Sequence, residues 1–333
     1  LRGKTEQGFI PNDNRGNGSK SFDRSQPPVG GIMVKEVYKT YPEDWFLKAT
    51  FDDLLGWNRW WHRSRNNEGL LSFGSSPADN PFNEPVFETK TAAGYESGMD
   101  DSPMYIGVPF NKKKHTLELQ DVGLTSLYIA DCRALAEMAG ILKRKKEQKE
   151  LESRAKQYAL KMEELWSPEF GAYLNYRTDV DSLSTRVSPT LFYPLMAKVG
   201  NDERNKIIME HFYNPEEFYG EWMLPSTTRN DPTFSRQRYW KGAIWPPLNF
   251  LTYLSLRQAG YTDAASELSE KSLKLIMTEW TRKGYVSENY SSITGTGDDS
   301  RLSSDRFHSW GALFGIISFI ENGYLPKIES PME

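Results

Sequence analysis

Cysteine is almost absent from this chain, and long apolar runs are missing. Cys132 is the single cysteine among 333 residues, which excludes an internal disulfide and any site built from several cysteines. It falls on the apolar side of a helical pattern, which predicts a small buried hydrophobe. No run of about eighteen apolar residues occurs, which argues against a membrane span. No signal peptide is recognisable, but the sequence opens at Leu1 without a methionine, so what precedes it is unknown and the compartment stays undecided.

Histidines and glycine signatures are too sparse for several common chemistries. His62, His115, His211 and His308 are scattered without a His-x-x-His or His-Glu-x-x-His spacing, which predicts no zinc site. No nucleophile elbow, Walker loop or dinucleotide glycine pattern is found. The stretch GTGDDS at residues 295–300 lacks EF-hand spacing and is typical of a solvated loop. We therefore expect neither a metal nor a cofactor.

A net excess of positive charge is also missing, because 41 lysines and arginines stand against 45 aspartates and glutamates. The net charge is −4 and the isoelectric point is about 5.8, so no global basic field attracts nucleic acid or an anionic membrane. Lysine and arginine gather once, in LKRKKEQKE at residues 142–150. Because acids alternate with the bases, this run indicates a solvated helix end rather than an RNA site.

Aromatic residues, by contrast, are abundant. They make up 13% of the chain and include ten tryptophans, many of them in segments punctuated by glycine and proline. Aromatic side chains in such segments serve either as structural plugs or as platforms on which sugar rings stack. For any single residue the plug is the safer interpretation.

Helical periodicity dominates the pattern, and no alternating strand series competes with it. We expect an all-α domain spanning residues 1–333, because no linker divides the chain. Long connections at residues 66–117, 167–187 and 213–239 are typical of functional loops, which an α-hairpin toroid would gather at one mouth. Nine or ten helices fall two short of six pairs, which suggests truncation at the front. The helical windows are residues 27–41, 42–65, 118–144, 148–167, 188–200, 201–212, 242–260, 262–284 and 306–323.

Several acids lie between the helical windows. Glu96, Asp100 and Asp101 belong to GYESGMDDSP at residues 94–103, a stretch that reads as neither helix nor strand, and Glu288 follows the window that ends at residue 284. Cleavage of a glycosidic bond needs one protonated and one ionised carboxyl group. The alternative is that these acids cap turns, as many loop aspartates do.

Seven motifs in order carry a resemblance to a known family. They are GFIPNDNRGNGSKSFDRSQPPV, WWHRSRNNEG, YESGMDDSP, GEWMLPSTTRNDPTF, YWKGAIWPPLNF, SENYSS and FHSWGALF. Together they resemble the catalytic domain of glycoside hydrolase family 63, with weaker similarity to the family 37 trehalases. The resemblance implies an (α/α)6 barrel that cleaves α-glucosidic bonds with inversion.

Position by position, the resemblance implies roles for the acids. Asp100 would be the general acid and Glu288 the general base, with their carboxyl groups roughly 6.5 to 9.5 Å apart. Asp101, the neighbour of Asp100 in the chain, is the residue that most needs excluding as the general acid. Glu96 would shape the sugar pocket. Met99 and nearby tryptophans could supply the apolar setting that keeps an acid protonated.

Fourteen positions, Glu96 among them, would form the sugar-binding wall, although a packing or salt-bridge role is the alternative for each. The matched motifs favour sugar contact. These substrate-binding candidates are Asn12, Arg24, Gln26, Trp61, Arg63, Phe73, Glu96, Gly98, Trp240, Lys241, Gly242, Trp245, His308 and Trp310.

Departures from the family keep alternatives open. Family members carry two helices upstream of GFIPN, and many also carry an N-terminal β-sandwich domain. This sequence starts at Leu1 and includes neither. A homo-oligomer in which another copy supplies the missing helices is therefore one hypothesis. Lys241 stands where an arginine is expected, which bears on substrate choice. The leading hypothesis is an inverting α-glucosidase acting on a small oligosaccharide or glucoside. The alternatives are a glucosylglycerate or mannosylglycerate hydrolase and a non-catalytic carbohydrate-binding barrel fragment.

Overall fold

Helices account for most of the regular structure in the computed structural model, which describes residues 1–78 and 87–324. Residues 79–86, part of the long predicted connection at residues 66–117, lie outside the described part. The α-helices are α1 (Gly30–Thr40), α2 (Asp44–Arg65), α3 (Lys90–Ser97), α4 (Val122–Ile141), α5 (Lys145–Met162), α6 (Tyr193–Met196), α7 (Asp202–Tyr213), α8 (Pro246–Gln258), α9 (Thr262–Lys283) and α10 (Leu313–Glu321). Short 3₁₀ helices occupy Pro103–Tyr105, Glu163–Leu165, Pro189–Phe192, Phe234–Arg236 and Ser309–Ala312.

The strands are only two or three residues long. They are β1 (Asn66–Asn67), β2 (Leu70–Leu71), β3 (Phe110–Asn111), β4 (Thr116–Leu117), β5 (Leu119–Gln120), β6 (Trp166–Ser167), β7 (Ala172–Tyr173), β8 (Asn175–Arg177), β9 (Ser182–Ser184), β10 (Ala243–Ile244) and β11 (Tyr290–Ser291). β5, β8 and β9 form an antiparallel sheet in that order, and β10 pairs antiparallel with β11. Strands this short cannot show the alternation that a sequence pattern needs.

The chain divides into two compact units. Unit 1 comprises Leu1–Asp100, Gly107–Trp166 and Tyr173–Ser184. Unit 2 comprises Asp101–Ile106, Ser167–Ala172 and Thr185–Glu333. The interpretation of residues 1–333 as one domain stays a prediction.

Helix α4 is the central element of unit 1 and packs against α1, α2 and α5. Its sequence is apolar almost all round, and buried residues follow one another along most of its length, as expected of a helix enclosed by others. Asp121 caps it, because its side chain accepts a hydrogen bond from the Leu124 amide at 2.8 Å. Cys132 on this helix is fully buried, which confirms its interpretation as a buried hydrophobe.

In unit 2, α8 packs against α6, α9 and α10. It begins with Pro246, and a proline is tolerated there because the first turn has no use for its amide N–H. Helix α9 ends at Gly284, which takes the left-handed conformation with φ +70°. The helix-rich prediction is confirmed. No helix within residues 1–78 and 87–324 is both long and apolar enough to cross a membrane.

The interpretation of residues 94–103 as neither helix nor strand was wrong for its first part. Helix α3 covers Lys90–Ser97, so Glu96 lies in a last helical turn and not in a loop. The Thr89 side chain caps this helix by accepting from the Ala92 amide at 3.2 Å. The helix ends at Gly98, which has φ +66°. Eight residues rich in alanine and glycine show no apolar period, so the pattern missed the helix.

The last predicted helix begins later than residue 306. Arg306 forms an antiparallel bridge with Ser287, and α10 begins at Leu313 after a 3₁₀ turn. The amide of Phe307 donates to the Val286 carbonyl at 2.8 Å. Residues 306–308 are therefore not helical, which matters because Glu288 lies on the facing segment.

Candidate active site

Glu288 lies on a segment held by backbone hydrogen bonds on both sides. Its amide donates to the Asp305 carbonyl at 2.8 Å. Two residues further on, β11 pairs with β10 of the YWKGAIW segment. Because both neighbours are fixed, the position of the Glu288 side chain is set by rigid backbone and not by a free loop.

The Glu288 side chain is largely shielded, with 15% of its surface exposed. Asn289 Nδ2 lies 3.4 Å from Glu288 Oε2, and His308 Nε2 lies 3.7 Å from Oε1. Asn289 is itself fully buried and donates to the Ser303 carbonyl at 2.8 Å. The sequence analysis missed Asn289, although its place directly after Glu288 in SENYSS was a signal.

Three of the predicted tryptophans form a continuous aromatic row. Trp240 and Trp245 stack with ring centroids 3.8 Å apart and an interplanar angle of 7°. The Trp310 ring meets Trp245 edge-on at 5.8 Å and His308 at 5.2 Å. The structure thus brings Trp240, Trp245, Trp310 and His308 into contact one after another, with His308 next to Glu288, and their contact with sugar stays a prediction.

The members of this row differ in exposure. Trp240 and Trp245 are 2% and 0% exposed, whereas Trp310 is 37% exposed. The Trp245 indole N–H donates to the Tyr239 carbonyl at 2.9 Å. Since Trp240 and Trp245 cover a face of each other, Trp310 is the member of the row that offers the most open ring surface for a sugar.

Asp101 is engaged by the YWKG segment. The Trp240 amide donates to Asp101 Oδ1 at 3.2 Å, and the Lys241 ammonium group pairs with Oδ2. Both oxygens of Asp101 are thus engaged by the backbone and side chain of one segment. Its exclusion as the proton donor stays a prediction.

Gly242 follows Lys241 in a conformation that requires glycine. Its φ is +98°, and a Cβ atom there would lie 2.6 Å from the Phe234 carbonyl oxygen and 2.7 Å from Gln237 Nε2. Gln237 is fully buried, and its side-chain oxygen accepts from the Ser292 amide at 2.9 Å. The glycine therefore permits the close approach that joins this segment to β11.

In unit 1, Asp100 lies just after α3 and is half-buried. Gly94 in the middle of α3 makes room for it, since a Cβ atom there would lie 2.5 Å from the Asp100 carbonyl oxygen. Met99 beside it is buried. Space around Gly98 is open, because a Cβ atom at this position would meet no other atom within 4 Å. Asp100 is therefore packed onto a short helix by its backbone.

Glu96 on α3 is fully buried and accepts hydrogen bonds from four N–H groups. Arg65 donates from Nε at 2.6 Å and from Nη2 at 2.8 Å, and the amides of Ser25 and Gly74 donate at 2.9 and 2.6 Å. Burial raises the pKa of Glu96 above its ordinary value, while the Arg65 guanidinium and both amides oppose this rise by stabilising the carboxylate. These contacts give Glu96 a structural role, and direct sugar contact stays a prediction.

Glu96 pairs with Arg65, whereas the sequence analysis named Arg63 of the same motif as a substrate-binding candidate. Arg65 is fully buried, whereas Arg63 in the same WWHRSR motif is exposed. The spacing held a signal, because Trp57, Trp61 and Arg65 are four residues apart and share one face of α2. Sugar contact by Arg63 stays a prediction.

The N-terminal segment reaches the same short helix. Asn12 Nδ2 donates to the Tyr95 carbonyl at 2.8 Å, and the Gln26 side chain donates to the Asn12 carbonyl. The Arg24 guanidinium lies 5.3 Å from the centre of the Tyr95 ring and donates to Asp23 Oδ1 at 2.8 Å. Asn12 and Arg24 thus contact Tyr95 of α3, and Gln26 contacts Asn12.

Trp61 and Phe73 meet edge-on with centroids 6.3 Å apart, and both are buried in unit 1. Packing therefore accounts for both side chains, and their contact with sugar stays a prediction. Across residues 1–78 and 87–324 no group of three or more His, Cys, Asp or Glu side chains is arranged to hold a metal ion.

The amino-acid sequence matches a known family over most of its length. Residues 1–310 match the family described as "Mannosylglycerate hydrolase MGH1-like glycoside hydrolase domain", and the chain belongs to this glycoside hydrolase family. The resemblance to family 63 is confirmed.

Relatives by sequence carry related names. Mannosylglycerate hydrolase MGH1 of Selaginella moellendorffii is 23% identical over 325 residues, which cover 82% of this chain and 62% of that protein. Mannosylglycerate hydrolase of Thermus thermophilus is 23% identical over 312 residues, 82% of this chain and 72% of that protein. Glucosylglycerate hydrolase of Mycolicibacterium hassiacum is 21% identical, with 81% and 70% covered. The chain thus spans less than two thirds of the Selaginella protein's length.

Solved structures share the fold. The family 63 mannosylglycerate hydrolase from Thermus thermophilus in complex with glucose superposes with a TM-score of 0.74 at 20% identity, over 94% of this chain and 84% of that one. Neutral trehalase Nth1 from Saccharomyces cerevisiae follows with a TM-score of 0.69 at 18% identity, over 90% and 62%. The weaker similarity to trehalases is confirmed at the level of the fold.

Proposed function

We propose that this chain is the catalytic domain of an inverting α-glycoside hydrolase, with an (α/α)6 barrel fold, Asp100 as general acid and Glu288 as general base. One observation carries the proposal. Glu288 is held on rigid backbone, shielded from solvent, beside His308 and the aromatic row that ends in the exposed Trp310. Membership of a glycoside hydrolase family supports this assignment.

The chemistry follows from two carboxyl groups with opposite protonation. Asp100 gives its proton to the glycosidic oxygen as the bond from that oxygen to the anomeric carbon breaks. Glu288 takes a proton from a water molecule, whose oxygen bonds to the anomeric carbon from the opposite face. The free sugar is therefore released with inverted configuration, as a β-anomer from an α-glycoside.

For the substrate we propose a glucoside or mannoside of glycerate. The names of the family and of the Selaginella, Thermus and Mycolicibacterium relatives support this choice. A neutral α-glucoside is the second candidate, supported by mannosyl-oligosaccharide glucosidase of Saccharomyces cerevisiae, which is 31% identical over 115 residues and covers 30% of this chain. The two classes differ by one carboxylate, so competition by glycerate and by inorganic anions separates them.

Proton NMR of the anomeric region tests the proposal. The chain is incubated with glucosylglycerate, mannosylglycerate, maltose, kojibiose, nigerose and trehalose, and the first anomer released is identified. We expect a β-anomer from a glycerate glycoside, and its loss in both Asp100→Asn and Glu288→Gln. Asp305→Asn is the matched control, because Asp305 is an exposed carboxylate on the segment facing Glu288.

Other outcomes give clear corrections. An α-anomer released first would show retention and remove Glu288 as a base acting on water. Turnover surviving in Asp100→Asn but lost in Asp101→Asn would move the acid by one residue. Sugar binding without turnover of any substrate would favour the non-catalytic carbohydrate-binding barrel.

A further inference from the structure

His308 lies between the predicted base and the start of a 3₁₀ turn. Its Nδ1 accepts a hydrogen bond from the Trp310 amide at 3.3 Å, and its Nε2 lies 3.7 Å from Glu288 Oε1. The Trp310 ring packs against the imidazole at 5.2 Å with an interplanar angle of 68°. One side of the ring is thus fixed by backbone and the other faces Glu288.

The first contact decides where the imidazole carries its proton. A ring nitrogen that accepts from an amide N–H must present its lone pair, so a neutral His308 carries its hydrogen on Nε2. A doubly protonated ring would place an N–H on Nδ1 against the Trp310 N–H. The 3₁₀ turn therefore selects the tautomer whose N–H is directed at Glu288.

The backbone before His308 is strained in a way that its own side chain does not explain. Phe307 has φ +58°, which is rare for a bulky residue and costs on the order of 1–3 kcal/mol. Its ring packs against Tyr285 with centroids 5.0 Å apart but is 76% exposed, so burial of Phe307 offsets little of this cost. The left-handed turn takes the chain from its bridge with Ser287 into the 3₁₀ turn that His308 caps.

We propose that His308 is a positioning residue for Glu288 and not primarily a sugar ligand. Its Nε2 lies 3.7 Å from Oε1, whereas Asn289 Nδ2 lies 3.4 Å from Oε2, so the two side chains together fix the plane of the carboxylate. Contacts of this kind are often long without substrate and shorten in the complex. The inference rests on the proposed function, because it assigns His308 a task only if Glu288 is the base.

Charged neighbours of this segment do not compete for the imidazole. Arg306 lies over the Tyr285 ring at 5.4 Å and is directed at Asp298, 3.8 Å away. Asp305 meets Glu288 through its backbone carbonyl. Glu288 is therefore the charged partner that the described residues give His308.

The test compares His308→Leu with His308→Gln, whose amide nitrogen can take the place of Nε2. For wild type and both variants, kcat and KM are measured from pH 4 to 9 with the glycoside that wild type cleaves. We expect His308→Leu to lower kcat by about 10- to 100-fold, with KM changed by less than about 3-fold. The acidic limb of kcat/KM should move to higher pH, because the carboxylate loses a donor that favours its charged form. His308→Gln should restore most of both.

Phe307→Gly is the control for the segment. Glycine accepts φ +58° without strain, so this variant removes the neighbouring ring and keeps the position of the imidazole. We expect its kcat and its acidic limb to equal those of wild type. If Phe307→Gly reproduces the His308→Leu defect, the effect belongs to the segment and the assignment to His308 fails.

Failure of the inference is distinguishable from failure of the proposed function. An inactive wild type, or an active Glu288→Gln, would contradict the proposed function itself. Suppose that the wild type is active, that it needs Glu288, and that His308→Leu only raises KM and leaves the acidic limb in place. This result would contradict the positioning role alone and make His308 a sugar ligand. Circular dichroism and thermal unfolding of every variant separate these outcomes from misfolding.

Discussion

Arg65 and Glu96 form a two-pronged ion pair in which neither side chain is exposed to solvent. Arg65 ends α2 and Glu96 lies in the last turn of α3, the helix that precedes Asp100. Arg65 also donates from Nη1 to Ser76 Oγ at 2.8 Å and from Nη2 to the Asp23 carbonyl at 3.1 Å. The pair therefore ties α3 to α2 and to the N-terminal segment.

Breaking this pair should destabilise the protein strongly, because removing one partner leaves the other charge buried and unpaired. Arg65→Met and Glu96→Gln should each lower the free energy of unfolding by about 3–5 kcal/mol. The double variant should cost less than the sum of the two. Urea unfolding followed by circular dichroism measures this. Arg63→Met on the same turn is exposed and should change stability by less than about 0.5 kcal/mol.

Gly98 and Gly242 test whether atomic crowding, beyond a positive φ, requires glycine. Gly242→Ala should destabilise more than Gly98→Ala, since both have positive φ but only Gly242 is crowded by the Phe234 carbonyl. We expect a cost of about 1–2 kcal/mol at Gly98 from the backbone alone and a larger cost at Gly242. Thermal unfolding of the two variants measures the difference. Equal costs would contradict the crowding at Gly242.

Variants of Trp240 and Trp310 distinguish a packing role from a sugar-binding role within the aromatic row. Trp240→Ala removes a buried, stacked ring and should cost about 3–5 kcal/mol of stability. Trp310→Ala should cost far less stability, because its ring is partly exposed, but should raise KM about 10-fold if a sugar stacks on it. Unfolding and steady-state kinetics on both variants check this. A Trp310→Ala variant with unchanged KM would remove Trp310 from the sugar site.

Asp131 should make stability depend on pH. It is buried in α4, and burial raises its pKa to about 7 although Asn58 and the Gly31 amide donate to it at 2.8 and 2.7 Å. The folded protein keeps this proton between about pH 4 and 7, while the unfolded chain, with a pKa near 4, has released it. This carboxyl group therefore stabilises the fold at low pH, and that contribution is lost as the pH rises through this window.

Comparison with Asp131→Asn isolates that contribution from those of other buried acids. The difference in unfolding free energy between wild type and variant should change across pH 4 to 7 by on the order of 2 kcal/mol, with wild type losing stability relative to the variant as pH rises. Urea unfolding at steps of half a pH unit measures it. An Asp131→Asn curve that runs parallel to the wild-type curve would contradict the prediction.

Helix placement and family were open to prediction from the sequence, for a local reason. Apolar residues recurring at helical spacing along 122–141 and 262–283 bury one side or all of the helix whatever the partner is. The motif SENYSS likewise allowed Glu288 to be proposed as the base, because neighbouring residues in the chain carry the pattern. Short elements escaped, as α3 did, since eight residues complete barely two turns.

What only the tertiary structure decided is the choice of partners. WWHRSR offers two arginines, and it is the packing of α2 against α3 that buries Arg65 with Glu96 while Arg63 stays in solvent. YWKGAIW offers two tryptophans, and only the fold stacks them in parallel, buries both and packs Trp310 edge-on against Trp245. His308 Nε2 likewise lies 3.7 Å from Glu288 Oε1 directly after a left-handed Phe307, and no local pattern indicates either feature. A sequence pattern records which residues are apolar or charged, but a hydrogen bond depends on atoms that long-range packing brings within about 3 Å.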